Sequence, residues 1–239
     1  MSVGSQSNLE VAHPLIDDTD ALGSWLTEIR SIINENRWTT SEIIRAIAEG
    51  RAPREAIKRW SMEYHHYSTI ATANAFLLLA NAPDRQTYWA WGRNMAGELG
   101  YLGEPEHLTL LAELPKQLGA DDEQITSIVP LPATLGAAFT VSYYFRRSFE
   151  EGLAAGVASE NMAVEAMEVL YTGLRRHYGI ESRFFKAHIA AEQEHAEIGL
   201  QLLGKHAGAA ALRDRMGRAI LNTCLTKRHM WSACEIFLT

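Results

Sequence analysis

All seven prolines of this chain fall between Pro14 and Pro132, and the 107 residues that follow contain none. Proline removes an amide donor and clashes with the preceding turn, so it breaks a helix from within and is tolerated at the first turn. The asymmetry implies short helices with corners early and long uninterrupted helices late. Boundary signals divide the chain into about eight helices. Asp20 caps one over 20–36, Thr40 opens a short one ending at Gly50, and Pro53 starts a long one reaching about Leu79. Asp84 caps the next, which runs to Gly100. A Gly/Pro-rich corner, GYLGEPE, then leads into 107–118, and Asp121 or Asp122 starts a short helix before the corner Pro130–Pro132. The stretches 133–177, 182–203 and 208–237 are helical by periodicity. Only Thr140–Phe145 has the β-branched and aromatic content of a strand, and it lies in alanine-rich helical surroundings. The expected fold class is therefore all-α, with a polar N-terminal arm over 1–19 and one helical domain over 20–239.

Charge narrows the function. The formal net charge is −7, whereas nucleic-acid binding relies on Lys and Arg neutralising phosphates, so no nucleic-acid partner is expected. Arg51, Arg54, Lys58 and Arg59 form the nearest thing to a basic patch, and with Glu55 among them they read as a solvated helix face. The N-terminus MSVGSQSNLEVAHPLIDDTD has no basic start and no apolar core of a signal peptide. The most apolar internal stretch, Ala73 to Ala80, is too short to span a bilayer, so no membrane partner is expected either. Cys224 and Cys234 form neither a disulfide framework nor a zinc knuckle and read as space-filling thiols of a cytoplasmic protein. With no Gly-rich phosphate loop after a strand, nucleotide-binding α/β folds have no support.

The segment FFKAHIAAEQEHAEIGLQLL carries the chemistry. Helix residues advance by about 100°, so His188, Glu192 and His195 fall within about 60° of one stripe. Phe184, Ala191, Ile198 and Leu202 share that stripe and read as core, while Lys186, Gln193, Glu194, Glu197 and Gln201 read as solvent-facing. Two imidazoles and a carboxylate thus point inward among apolar side chains. A buried carboxylate without partners is costly, and one metal ion would satisfy all three groups. Two histidines and a carboxylate also form the ligand set of non-haem iron. The alternative is a buried His–Glu–His hydrogen-bond ladder.

Further ligands weigh against that alternative. Glu98 ends one helix and His107 begins the next across the flexible corner, with Glu104 also available three residues before His107. Glu160 is the carboxylate nearest a small-residue run, Ala154 to Ala158, which lets helices approach closely. Glu98, Glu160 and Glu192 carry three negative charges between them, and His107, His188 and His195 bind as neutral ligands. Two divalent irons leave a single net positive charge in the core, whereas one ion would leave a net negative charge and surplus ligands. A metal pair fits better.

The stretches AEGRAPREAIKRWSMEYHHY, ANAPDRQTYWAWGRNMAGELG, EHLTLL, LPATLGAAF, GLRRHYGI and FFKAHIAAEQEHAEIG follow one another in that order. Through them, over roughly residues 40 to 235, the chain resembles the haem-oxygenase-like di-iron oxidases. That superfamily also holds the thiaminase-II-like proteins and pyrroloquinoline-quinone synthase. The resemblance implies a haem-oxygenase-like helical bundle and a ligand set of Glu98, His107, Glu160, His188, Glu192 and His195. Glu192 stands where the family more usually has Asp, and Glu104 is the alternative to Glu98. The resemblance further implies two Fe(II) ions, O2 as co-substrate, a small-molecule substrate, a homodimer and an external electron donor. Its reactions include N-oxygenation, nitrile formation, oxidative C–C cleavage and desaturation of amino acids or other carboxylates.

Competing readings remain at this point. Glu104-x-x-His107 and Glu192-x-x-His195 both match the Glu-x-x-His motif of ferritin-like carboxylate bundles, although His188 would then be superfluous. A metal-free oxidase like the quinone synthase, or a non-catalytic helical binding protein, is a third. Of Tyr64, His65, His66 and Tyr67 on the long central helix, one or two are expected to face a cavity. Trp89 and Trp91 read as packing, and Arg146 and Arg147 as exposed.

Overall fold

A computed structural model describes residues 19–103 and 105–239, and all of their side chains except those of Thr19 and 190–197. The polar arm expected over 1–19 lies almost entirely outside the described residues. Eleven α-helices follow in order: α1 (Thr19–Glu35), α2 (Glu42–Ala48), α3 (Arg54–Ala80), α4 (Arg85–Glu98), α5 (His107–Gln117), α6 (Asp122–Thr126), α7 (Pro132–Arg147), α8 (Phe149–Asn161), α9 (Val164–Gly173), α10 (Arg183–His206) and α11 (Ala210–Ala233). There is no strand among the described residues, and Thr140–Phe145 lies inside α7.

The all-α expectation holds, with eleven α-helices among the described residues in place of about eight. The expected continuous helix over 133–177 is three helices and a closing π-turn at Leu174–Tyr178. Ser148 adopts extended backbone, φ −156° and ψ 164°, and its Oγ accepts the Glu151 N–H as an N-cap. Apolar spacing continues across that break, so periodicity alone does not detect it. Caps placed the other boundaries well. Asp84 accepts the Thr87 N–H at 2.8 Å, and Asp121, with Gln124, closes a capping box on α6.

Helix α3 packs against α5 and α7; α8 sits among α7, α10 and α11; α10 also touches α5 and α9. Residues 154–158 of α8 are inaccessible to solvent, as expected for a run that admits close neighbours. At Gly156 an added Cβ would lie 3.3 Å from the Trp91 ring, so the glycine is what lets α4 lie so close. At Gly173 the same atom would meet the Ala48 backbone at 2.5 Å, which presses α9 onto α2.

An aromatic hub fixes the floor of the bundle. Trp38 and Trp231 meet edge-on with centroids 4.9 Å apart. Tyr64 of α3 lies 5.4 Å from Trp231 and 5.7 Å from Phe184 of α10. Edge-to-face contacts of this kind each contribute about 0.5–1.5 kcal/mol beyond burial. Their consequence for function is that Phe184 is locked in place one turn before His188.

Candidate metal centre

Two helix ends build the first part of the site. Glu98 is the last residue of α4 and His107 the first of α5, and the corner between them turns at Gly100 and Gly103, both at positive φ. His107 is buried, and its Nδ1 lies 3.0 Å from Glu98 Oε1. The pair is close but not aligned for a hydrogen bond, so among the described residues that buried ring nitrogen has no hydrogen-bond partner. A buried nitrogen in this condition is costly unless something else takes its lone pair.

His188 reaches the same point from α10. Its Nδ1 lies 2.9 Å from the Phe184 carbonyl oxygen. A carbonyl only accepts, so the proton resides on Nδ1 and Nε2 carries the lone pair. Metal-ligating histidines are held in this way by a hydrogen bond from the other ring nitrogen. The His188 ring lies 3.9 Å from that of Phe184, tilted by 37°, and 4.3 Å from the His107 ring. One donor atom each from Glu98, His107 and His188 lies within 4.8 Å of the others. Two imidazoles and a carboxylate converge without an aligned hydrogen bond between Glu98 and His107, which suits a shared cation.

Glu160, in the last turn of α8, is half-buried and accepts a hydrogen bond from Asn94 Nδ2 at 3.1 Å. Burial pushes its carboxyl up to about 7; the negative charge of Glu98 adds to the rise, while the Asn94 hydrogen bond and the Lys227 ammonium oppose it. Glu98 and Glu160 line one cavity of about 130 Å³, walled by Trp91, Met95 and Phe145. Each is in the last turn of its helix, at the negative end of the helix dipole, where a carboxylate is unfavourable by about 0.3–1 kcal/mol. Two acids placed against their own helix dipoles and facing one cavity create a field that favours a cation. For Glu98 this placement is a sequence-level signal as well, because the helix from Asp84 to Gly100 is bounded by its cap and its glycine; for Glu160 it is not, because periodicity runs unbroken over 133–177.

Glu192 and His195 lie on α10 one and two turns beyond His188, and their side chains are outside the described residues, as is Glu104. Around them, Phe184 and Leu202 are buried while Lys186 and Gln201 are exposed, as the stripe requires. Ile198 departs from the expected core and is exposed. It stands about 80° from His188 around the helix, at the edge of the stripe. On α3, Tyr64 and Tyr67 line the cavity, whereas the half-buried His65 and His66 do not. Trp91 is buried and donates its indole N–H to the Ala75 carbonyl, but Trp89, expected to pack, is exposed at 61% because it points away from α3 and α8. Arg146 bonds Asn74 and Arg147 pairs with Glu151, both from exposed positions as expected.

The basic patch is neutralised locally, Arg51 by Glu42 and Glu49, Lys58 by Glu55 and Arg59 by Glu63. Cys224 and Cys234 are buried free thiols, the former pushed up to about 12 by burial and the latter raised for the same reason. Neither is a poised nucleophile. Among the described residues no helix is long and apolar enough to cross a membrane.

Lys227 is a charged cavity residue that sequence reasoning missed. It is 4% exposed, lines the cavity with both carboxylates, and binds Ser159. The signal was available: Ile220, Cys224, Lys227 and Trp231 follow the 3–4 spacing of α11's buried face, so a cation stands where an apolar residue is expected.

The fold and sequence comparisons agree with this architecture. A CADD-like protein of unknown function from Nostoc punctiforme superimposes with a TM-score of 0.73 over 92% of this chain and 100% of its own, at 16% identity. A Shewanella denitrificans domain with a heme oxygenase-like fold does so with a TM-score of 0.70 over 93% of each chain, at 18% identity. In sequence, pyrroloquinoline-quinone synthase of Pseudomonas aeruginosa is 26% identical over 181 residues, 72% of this chain and 70% of that one. The bundle is thus heme-oxygenase-like. Residues 58–227, which span Glu98, His107, Glu160 and all of the late ligand helix, match the model of the iron-containing redox enzymes, and the chain belongs to that family.

Proposed function

We propose that the protein is an O2-activating non-haem di-iron oxidoreductase acting on a small amino-acid-like or carboxylate substrate. The observation that carries this reading is the convergence of Glu98, His107 and His188, with His107 Nδ1 buried and without a hydrogen-bond partner among the described residues. In this reading Glu98, His107 and His188 would hold iron, and Glu160, Glu192 and His195 would complete the ligand set of a pair. Iron bound by these residues would supply the redox chemistry toward O2, with electrons replenished by an external donor.

The chain's own residues prepare that chemistry. Phe184 fixes the orientation and proton position of His188 through its carbonyl. Asn94 holds Glu160 in the cavity by one hydrogen bond. Trp91, Met95 and Phe145 present apolar walls that displace water from the substrate, which strengthens electrostatic interactions within. N-oxygenation, nitrile formation, C–C cleavage and desaturation all belong to this class of reaction. The test is oxygen consumption by protein loaded with Fe(II) under nitrogen and then exposed to air. The reading expects iron-dependent uptake that His188→Ala abolishes; equal uptake by the variant refutes it.

A second reading, a metal-free quinone synthase, rests on the sequence relatives of that name. It gives the Glu98–His107–His188 cluster no role. The ferritin-like alternative leaves His188 superfluous, whereas His188 sits in the cluster.

A further inference from the structure

The ammonium of Lys227 is a buried charge, 4% exposed, that the proposed ligand set does not use. Its Nζ donates to Ser159 Oγ at 2.5 Å and to the Ser159 carbonyl at 3.3 Å. The Trp38 and Tyr67 rings flank it, with centroids at 4.9 and 4.7 Å. Ser159 is in turn held by the Tyr67 hydroxyl at 3.2 Å. Serine and two aromatic faces position the cation but do not neutralise it. Among the described residues no carboxylate stands within ion-pair distance of Lys227, although it is 4% exposed. Glu160 shares the cavity and feels the field of Lys227 but makes no ion pair with it; a buried charge without a direct partner is disfavoured, and an apolar side chain would fill this place on α11 at no such cost.

The surroundings define what would complete it. Lys227 and Ser159 line the same cavity as Glu98 and Glu160. Cations held by those carboxylates would increase the positive potential that Lys227 experiences. An anionic group between the two sides would satisfy both. The cavity, about 130 Å³, is on the scale of one that takes a benzene ring, about 150 Å³, so the molecule is small.

We infer that Lys227, steadied by Ser159, Trp38 and Tyr67, anchors the carboxylate of the substrate. The rest of the molecule then extends along Trp91, Met95 and Phe145. The assignment rests on the oxidoreductase reading for the word substrate, but the binding site it describes does not depend on iron. Lys227 positions the substrate; it takes no part in electron transfer.

Calorimetric titration of hexanoate, hexanamide and hexylammonium into the full-length protein tests this, first with metal removed and then loaded with Fe(II) under nitrogen. Without metal, Glu98 and Glu160 repel an anion, so a preference for hexanoate there must come from Lys227. The expected result is at least tenfold tighter binding of hexanoate than of hexanamide in both states, with hexylammonium weakest in the loaded state. Lys227→Met is expected to lose hexanoate affinity at least tenfold, with hexanamide changed less than twofold, and Lys227→Arg to keep the preference. Equal binding of hexanoate and hexanamide by the parent overturns the inference even if Lys227→Met fails to fold, and so does a folded Lys227→Met that still prefers hexanoate. Iron uptake measured alongside separates the two readings. Lys227-dependent hexanoate binding without iron uptake sinks the oxidoreductase and leaves the anchor, and iron uptake without carboxylate preference does the reverse.

Discussion

Glu160→Gln should stabilise the metal-free protein at neutral pH, by an amount that follows from the burial of its carboxyl. Glu160 titrates at about 7 in the folded chain against an ordinary value of 4.5. Between those values the folded state holds a proton that the unfolded chain has released, so stability falls as pH rises through the interval. Below 4.5 both states are protonated and nothing is lost; above 7 the loss is complete. At about 1.4 kcal/mol per pH unit the span comes to about 3 kcal/mol. Glutamine keeps the oxygen that accepts from Asn94 and never ionises. The stability difference, variant minus parent, should therefore be near zero at pH 4.5 and rise to about 3 kcal/mol at pH 8. His65 and His206 titrate lower than usual, mainly because of burial. They impose the opposite trend near neutral pH, but they are common to both proteins and cancel in the difference. Urea unfolding across that pH range in the presence of a chelator measures it, and a divalent metal that binds the carboxylate should shrink the gap at pH 8. A difference that is flat with pH, or a parent more stable than the variant at pH 8, would refute the electrostatic account of the cavity.

Other consequences are simpler to read. Gly173→Ala should destabilise by about 1–2 kcal/mol despite the helix preference for alanine, since overpacking costs about 1–3 kcal/mol and the clash is with the Ala48 backbone. Gly136→Ala, where an added Cβ meets nothing within 4 Å, should gain up to about 1 kcal/mol; thermal unfolding of the pair measures both. His107→Ala should weaken iron binding at least tenfold with near-unchanged circular dichroism, checked by equilibrium dialysis against Fe(II) under nitrogen. Iodoacetamide should label neither Cys224 nor Cys234 in the native state and both after unfolding, because their thiols are buried and raised well above the usual range. Native labelling followed by mass spectrometry checks this.

What could be read from sequence divides along physical lines. Local chemistry was legible: caps at Asp84 and Asp121 and the proline at Pro53 announce helix starts, because each acts on neighbouring backbone. The inward-facing stripe through His188 was legible because helix geometry fixes which residues share a face. How closely Glu98 approaches His107 depends on how the corner at Gly100 and Gly103 folds, which spacing does not encode; the two stand 3.0 Å apart, while the alternative Glu104 lies outside the described residues. The break at Ser148 was hidden because apolar spacing runs through it unaltered. Asn94 and Ser159 escaped notice because their importance comes from what lies opposite them, on α8 and α11. Lys227 could have been found, since a cation in the middle of a buried stripe contradicts the pattern around it.

Iron stoichiometry is the most direct test of the account. Protein freed of metal, dialysed anaerobically against excess Fe(II) and then against buffer, is analysed for iron per chain. The account predicts two irons in the parent, and a loss in Glu98→Ala, Glu160→Ala and His188→Ala alike. A parent that retains none, or an iron content indifferent to all three substitutions, would contradict it.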